Sequence, residues 1–567
     1  MTADDWVRGG SYAVRGSAFV DGSLADADAL RDRLAGAAPA TPSALAAVVE
    51  DWAGKYAAVI DRGDAVLAVT DPTRSTGLFF STTAPLRLSD DGTALGDELG
   101  DDPSPAAYEP VARAELLTSR FVGDRRTLVG TMRSVRAGEA VALREEGGSV
   151  RWEAVDASAP RPTTRATGDA ESATERVEDA LATAAERTVR YADGRPIAVW
   201  LSGGYDSRLV LTALAETGYD DLVALTFGRR GVPDVERAEA VADELGVRWE
   251  FAEYATARWR EWYDTADARA FRERYFEYES VPNYGMLPAI EDLRASGRLP
   301  DDVVFCPGQT SHGLSSYEPP ESFASASVDP EDVAAYFVDR RYSLWDWSDE
   351  AFERAVRDRV AASLDPLDDP GTAYVAGERW RWRNYVTKYL LQDGRQYDWT
   401  GDDWWYPLWD AAVVDAWERV PREHRVGKEL TERVADRRYA AATGRDAAAV
   451  PEGVEATGPF GGLLDGVVDR IAASAVGPLL APLYWRAVRS AEGYDDHPLG
   501  WWGVVPRPVF DACYSGRESV HSFQALAAAG HVSLDGDGAV YEAPEDGRVE
   551  LHVDDPTADA RDDADAA

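Results

Sequence analysis

Lysine is almost absent from this sequence. The chain of 567 residues has three lysines, Lys55, Lys388 and Lys428, among 59 basic residues. With 101 acidic residues, its formal charge at pH 7 is −42. A field of that sign repels nucleic-acid phosphates and anionic lipid surfaces, so we expect neither as a partner. The acid-rich, lysine-poor balance resembles that of halophilic proteins, because molar salt shortens the screening length to about 3 Å and weakens repulsion among surface acids.

Cysteine and long apolar runs are also scarce. Cys306 and Cys513 allow at most one disulfide and no cysteine metal cluster, which favours a reducing compartment. The first residues lack the basic and apolar regions of a signal peptide. The longest uncharged apolar stretch near the C-terminus, residues 471–485, is too short for a helix across a bilayer of about 30 Å. We therefore expect a cytoplasmic protein with no membrane partner.

The pattern of apolar and turn residues changes near residue 158. Before it, short apolar runs alternate with Gly, Asp and Pro turns, which predicts an α+β domain with antiparallel hairpins. After it, strands and helices alternate, which predicts an α/β domain with a doubly wound parallel sheet and Trp-rich helical additions. The predicted divisions are a first domain 1–157, a polar linker 158–170, a second domain 171–450, a C-terminal extension 451–553 and an acidic, disordered tail 554–567.

The segment 199–210, which reads VWLSGGYDSRLV, is the most informative in the chain. It predicts a buried strand that stops at Ser202, a Gly-Gly turn and a helix from Ser207. Backbone N–H groups converge in such a turn and suit phosphate oxygens. Asp206 would hold a Mg²⁺ that bridges to those oxygens. No lysine follows the glycines, so this is not a Walker loop; a purely structural turn capped by Asp206 or Ser207 is the alternative.

This pattern resembles the PP-loop of ATP pyrophosphatases, and residues 50–440 resemble the asparagine synthetase family. The resemblance implies an adenine nucleotide alpha hydrolase-like fold with ATP and Mg²⁺ as cofactors. Leu225-Thr-Phe-Gly228 stands where the family contacts adenine, and Asp234 begins the next helix as in the family. The implied nucleotide-binding residues are Leu201, Ser202, Gly203, Gly204, Tyr205, Asp206, Ser207, Thr226 and Phe227.

Two further residues resemble catalytic positions of the family. Arg395 stands twelve residues before Pro407, the spacing of the family segment that begins with an Asp-Arg pair, although Gly394 replaces the aspartate. Lys428 resembles the lysine that the family places over the reacting acyl-phosphate. A structural ion pair for Arg395 and a solvated helix-start cation for Lys428 are the alternatives.

The N-terminal part resembles the family's glutaminase, an Ntn-hydrolase-like class II glutamine amidotransferase domain. Residues 54–60 and 71–80 match its paired strands and following turn. A working glutaminase of this class uses a cysteine directly after the initiator methionine, and Thr2 stands there. Threonine serves as an N-terminal nucleophile in other hydrolases, but no matching motif surrounds it. We therefore expect an inactive glutaminase-like scaffold.

The family's second signature is degenerate in residues 304–317. Ser311 and His312 stand at its Asp-Glu pair, which puts one magnesium carboxylate in doubt. His312 is a candidate base, with a plain loop histidine as the alternative. Cys306 is interpreted as a small buried hydrophobe.

The resemblance implies an ATP-dependent ligase that adenylates a carboxylate, aspartate or a related acid, and uses ammonia or an amine. One alternative is an intramolecular amide-forming cyclase of the β-lactam synthetase type. Others are a nucleotide-binding pseudoenzyme and a partner-binding module built on the tryptophans, which are more typical of a core. Homodimer formation is left open.

Overall fold

The structure is a computed structural model that describes most of residues 6–445. Its gaps are 101–103, 159–167, 255, 264, 310–319, 325–327, 345–348, 368–370 and 426–427, and beyond 445 it describes 525 and 528–530. The predicted acidic tail and nearly all of the C-terminal extension therefore lie outside the described residues. So does most of the predicted linker.

The N-terminal part of the chain folds around antiparallel strands. They are β1 (Val7–Gly9), β2 (Tyr12–Val20), β3 (Ser23–Ala25), β4 (Ala53–Asp61), β5 (Val66–Thr70), β6 (Phe79–Ser81), β7 (Leu88–Ser89), β8 (Met132–Ser134), β9 (Glu139–Glu146) and β10 (Ser149–Asp156). One sheet has the order β1-β2-β4-β5-β9-β10 with β3 against β2, and a smaller sheet has the order β7-β6-β8.

Four helices accompany these strands: α1 (Ala27–Ala37), α2 (Pro42–Val49), α3 (Gly92–Leu99) and α4 (Pro110–Ser119). The Asp26 carboxylate begins α1 by accepting from the Ala29 N–H, and Thr41 begins α2 by accepting from that of Ala44. Leu30 and Leu45 pack with apolar residues of the larger sheet in one buried cluster. This arrangement agrees with the predicted α+β pattern.

A parallel sheet organises the second part of the chain. Its strands are β11 (Ile197–Trp200), β12 (Leu222–Gly228), β13 (Arg248–Glu253), β14 (Val304–Phe305) and β15 (Asp403–Trp404). They lie in the order β13-β12-β11-β14-β15, and all four pairs are parallel. The mixed α/β architecture with a parallel sheet is thus confirmed.

Thirteen described helices belong to this part: α5 (Ala170–Ala192), α6 (Tyr205–Glu216), α7 (Pro233–Leu245), α8 (Thr256–Tyr263), α9 (Ala266–Phe276), α10 (Leu287–Ala295), α11 (Pro330–Arg341), α12 (Glu350–Ala362), α13 (Thr372–Arg381), α14 (Gly394–Thr400), α15 (Ala411–Glu418), α16 (Arg422–Arg425) and α17 (Glu429–Thr443). Within the described residues, none is both long and apolar enough to cross a bilayer.

Helices cover both faces of the parallel sheet. Along β11, Ile197 and Val199 point into one apolar cluster, whereas Ala198 points into another. Both faces of the sheet are therefore buried against apolar side chains, as in doubly wound sheets. The tryptophans described here are mostly core residues: Trp380, Trp382, Trp404, Trp405, Trp409 and Trp417 are all buried. This burial removes them as candidates for an exposed partner-binding surface.

A buried ion-pair network joins the N-terminal strands to the second part of the chain. Glu279, which follows α9, accepts from Arg74 of the loop after β5 at 2.7 Å and from Lys388 at 2.7 Å. All three side chains are at most 3% exposed. Burial alone would raise the pKa of Glu279, but the charges of Arg74 and Lys388 outweigh it and lower that pKa to about 2. We call these three residues the seam triad.

Removing one member of the seam triad should destabilise the protein strongly. Lys388→Met leaves a buried carboxylate short of one partner, which costs about 3–5 kcal/mol. The matched control is Arg419→Met, because the Arg419–Asp415 pair at 2.7 Å is exposed and such pairs contribute about 1 kcal/mol or less. Calorimetric melting at constant salt should show a clear fall in Tm for the first variant and little change for the second. An equal fall in Tm for both variants would contradict a stabilising role of the seam triad.

Candidate active site

The carboxyl ends of β11, β12 and β14 meet at one edge of the parallel sheet. The segment 201–204 follows β11 directly and leads into α6. The helix begins at Tyr205, two residues before the predicted start, because Gly204 is its N-cap in extended conformation. Tyr205, Asp206 and Ser207 therefore form its first turn. Gly204 has no side chain to cap that turn, so its N–H groups and the positive end of the helix dipole face the edge of the sheet.

Side chains of the protein accept hydrogen bonds from the backbone N–H groups that precede α6. The Ser207 hydroxyl accepts from the Ser202 N–H at 3.1 Å, and the Ser202 hydroxyl accepts from the Gly204 N–H at 3.3 Å. The Asp234 carboxylate, in the first turn of α7, accepts from the Gly203 N–H at 2.8 Å. These bonds hold the turn in shape. Because these amides already have acceptors, the first turn of α6 is a better candidate for the anion site than the glycine amides.

Thr226 and Phe227, at the end of β12, support the same turn from the side. The Thr226 hydroxyl donates to the Leu201 carbonyl at 2.8 Å and accepts from the Trp249 indole N–H at 2.9 Å. The Phe227 ring packs edge-on against Trp200, with centroids 5.5 Å apart. The predicted nucleotide-binding residues of β11 and β12 are thus brought together in space.

Asp206 and Lys428 face each other from the starts of two packed helices. Asp206 lies in the first turn of α6, and Lys428 is the residue before α17; both are half-buried. Burial raises the pKa of the Asp206 carboxyl to about 7, and the positive charge of Lys428 opposes part of this rise. Lys428 has a left-handed backbone with φ of +61°, which is uncommon for a residue other than glycine. Two residues predicted from distant segments therefore share one site.

Arg395 lies in the junction with the N-terminal strands. Its buried guanidinium donates to the Ser75 carbonyl at 2.9 Å and lies 3.7 Å from the Glu277 carboxylate. These contacts favour the structural ion pair over a substrate contact. The catalytic assignment of Arg395 stays a prediction.

The segment after β14 packs directly on the turn. A side-chain carbon at Gly308 would lie 2.7 Å from the Ser207 Cα, so the two backbones touch and only glycine fits. Cys306, two residues earlier, is fully buried, in agreement with its interpretation as a hydrophobe. His312 and Ser311 lie outside the described residues, so the role of His312 also stays a prediction.

The residues present are compatible with Mg²⁺ bound together with nucleotide. Two carboxylates, Asp206 and Asp234, flank the turn. Mg²⁺ is commonly held by one or two carboxylates plus substrate phosphates rather than by a complete protein cage. Among the described residues, no cluster of three or more metal-ligating side chains occurs.

One buried polar group near this edge is not predicted by the sequence. Asp393, just before α14, is buried and accepts from the side-chain amides of Asn283, Gln309 and Gln396. A lone aspartate beside a helix start gives no sequence signal, because its partners come from three separate segments. Only the tertiary structure brings Gln309, the neighbour of Gly308, to this carboxylate.

Comparison with known proteins finds a family model that matches the second part of the chain. Residues 176–442 match the family model described as asparagine synthase. No curated protein matches. Among solved structures, the glutamine phosphoribosylpyrophosphate amidotransferase from B. subtilis, complexed with ADP and GMP, is 13% identical, with 43% of this chain and 72% of that chain covered and a TM-score of 0.19. Similarity at that level carries no argument, so the Ntn-hydrolase-like fold stays a prediction.

The raised pKa of Asp206 predicts a pH-dependent effect of its removal. Burial raises the pKa of Asp206 to about 7 in the folded protein, against about 3.9 in an unfolded chain. Ionising it therefore destabilises the fold increasingly as pH rises from about 4 to 7. Asp206→Asn should raise Tm, with a gain that grows across this window and is constant above pH 7.

Melting curves without nucleotide or divalent cations, at constant salt, measure this gain. Asp220→Asn is the matched control, because Asp220 is an exposed carboxylate after the same helix. It should show no such trend. A gain for Asp206→Asn that does not change with pH would contradict the titration.

Proposed function

We propose, from the match of residues 176–442 to the family model described as asparagine synthase, that this chain is an ATP-dependent amide-forming ligase. It adenylates a small carboxylic acid, aspartate or a related acid, and transfers the acyl group to ammonia or an amine. ATP is a substrate of this reaction and leaves as AMP and pyrophosphate.

One observation carries the proposal: the start of α6 presents an uncapped first turn beside Asp206, with Lys428 facing it from α17. Helix N-termini bind phosphate oxygens through free N–H groups and the helix dipole. A carboxylate in that turn would repel a bare phosphate, and Mg²⁺ bound there would neutralise both charges. The pair of Asp206 and Lys428 therefore suits a magnesium nucleotide better than a free anion.

Each residue has a defined part in this proposal. The substrate carboxylate attacks the α-phosphate of ATP, and the pyrophosphate leaves toward the first turn of α6, whose N–H groups stabilise its growing charge. Asp234 holds Gly203 and keeps the turn in place. Lys428 stabilises the negative charge at the reacting acyl centre. These donors and charges are fixed before the reaction, so little reorganisation is needed in the transition state.

The N-terminal part acts as a structural scaffold in this proposal, with no glutamine hydrolysis. Where Arg74 of that part meets Glu279, the side chains of the seam triad are buried and paired by charge. This contact is a packed junction and not a polar passage for ammonia. Arg395 adds a second tie through the Ser75 carbonyl. Ammonia or an amine would then enter from solution.

Exchange of labelled pyrophosphate into ATP tests the adenylation step directly. Carboxylic acids are screened with the wild-type protein in molar KCl, aspartate first. We expect at least one acid to support exchange and Asp206→Ala to abolish it, because this change removes the charge that would hold Mg²⁺ at the leaving group.

Asp220→Ala serves as the matched control and should keep wild-type exchange. Undiminished exchange in Asp206→Ala would rule out the assigned site. If the wild-type protein binds ATP yet exchanges with no acid, the nucleotide-binding pseudoenzyme becomes the better description.

A further inference from the structure

Asp393 is a buried carboxylate surrounded by neutral donors. Its side chain accepts from Asn283 Nδ2 at 2.6 Å and Gln396 Nε2 at 3.2 Å on one oxygen, and from Gln309 Nε2 on the other. The residue is 4% exposed, and no ion pair to Asp393 occurs among the described residues. The positive charge that acts on Asp393 is that of Arg120, whose guanidinium carbon lies 3.3 Å from the centroid of the Tyr389 ring. These neutral donors compensate only in part for the free energy of burying a charged carboxylate.

The cluster lies beside the proposed adenylation site. Gly308 touches the backbone of Ser207 in the first turn of α6, and Gln309 is the next residue. Gln309 thus connects the phosphate-binding turn to Asp393 through a single side chain. A group bound by this cluster would lie next to the acid that is being activated.

Gln309 adds an unsatisfied acceptor to the cluster. Because an ionised carboxylate only accepts hydrogen bonds, Gln309 presents its Nε2 to Asp393 and directs Oε1 elsewhere. That oxygen is buried and has no hydrogen-bond partner among the described residues. A buried acceptor without a partner costs stability, so a ligand with N–H groups would satisfy it. The carboxylate and the amide oxygen together suit an ammonium ion or a protonated amine.

We propose that Asp393 and Gln309 form the binding site for the amine substrate and that Asp393 receives its proton. This inference rests on the proposed ligase function. Asp393 first accepts one proton from the bound ammonium group on a carboxylate oxygen, which frees the nitrogen lone pair. That lone pair forms the C–N bond at the acyl carbon of the acyl-adenylate, the C–O bond to the AMP phosphate breaks, and its electron pair leaves with AMP. The second N–H proton passes to the departing phosphate, and Asp393 is a catalytic residue of the second half-reaction only.

The titration of the cluster agrees with that role. Burial raises the pKa of Asp393 to about 7, while the Asn283 hydrogen bond and the charge of Arg120 lower it in part. Tyr389, Tyr397 and Tyr406 are the other titratable groups that face it. A base that titrates near the working pH is well matched to proton transfer.

Separating the two half-reactions tests the assignment. With the acid that best supports exchange and with ammonium chloride or hydroxylamine as the amine, Asp393→Asn should keep pyrophosphate exchange within about twofold. Its rate of amide or hydroxamate formation should fall about 100-fold or more, the usual contribution of a general base. Gln309→Leu should raise the KM for ammonium about tenfold by removing one acceptor, with a smaller change in kcat.

Asp402→Asn is the matched control, because Asp402 is a 5% exposed carboxylate that pairs with Arg294 at 2.6 Å just after α14. There, exchange and amide formation should change in parallel. The amine site would be overturned if Asp393→Asn still forms amide at the wild-type rate, or if it loses both half-reactions equally. In either case, exchange by the wild-type protein would still support the ligase. Absence of exchange in the wild-type protein would overturn both.

Discussion

The parallel pairing of β11 with β12 on one side and β14 on the other is the constraint on which the site depends. Ala198 pairs with Val223 and with Phe305, so the three strands run the same way and end at one edge. That edge receives the start of α6, the supporting hydroxyl of Thr226 and the Gly308 backbone. An antiparallel β14 would carry Gly308 and Gln309 to the opposite edge, away from the turn between β11 and α6.

The scarcity of lysine has a structural counterpart inside the protein. Each lysine faces an acid: Lys55 bonds Asp403 at 3.0 Å, Lys388 bonds Glu279 at 2.7 Å, and Lys428 faces Asp206. The formal charge of −42 therefore coexists with locally matched charges at two junctions and at the candidate site. The Lys388 and Glu279 side chains are at most 3% exposed, and buried pairs are only weakly affected by salt, so this contact should hold where surface charges are screened.

A helix with side-chain and backbone signals at both ends has bounds that the sequence specifies locally. Helix α5 runs from Ala170 to Ala192, because Asp169 accepts from the Ser172 N–H and Asp193 turns left-handed at its end. The start of α6 was placed two residues late, since a glycine N-cap carries no side-chain signal. Its extended backbone became visible only in the structure. The turn between β11 and α6 has a clear sequence signal because strand, glycines and helix are contiguous.

The sequence by itself determined the strand–turn–helix pattern at 199–210, the parallel architecture and the scarcity of lysine. Short-range hydrophobic periodicity and turn chemistry encode those features. Only the tertiary structure decided which distant residues meet: Asn283 reaches Asp393 across 110 positions of sequence, and Arg395 reaches Ser75 across 320. The physical reason is that these contacts depend on how whole helices and sheets pack. No local pattern specifies which polar side chains that packing buries together.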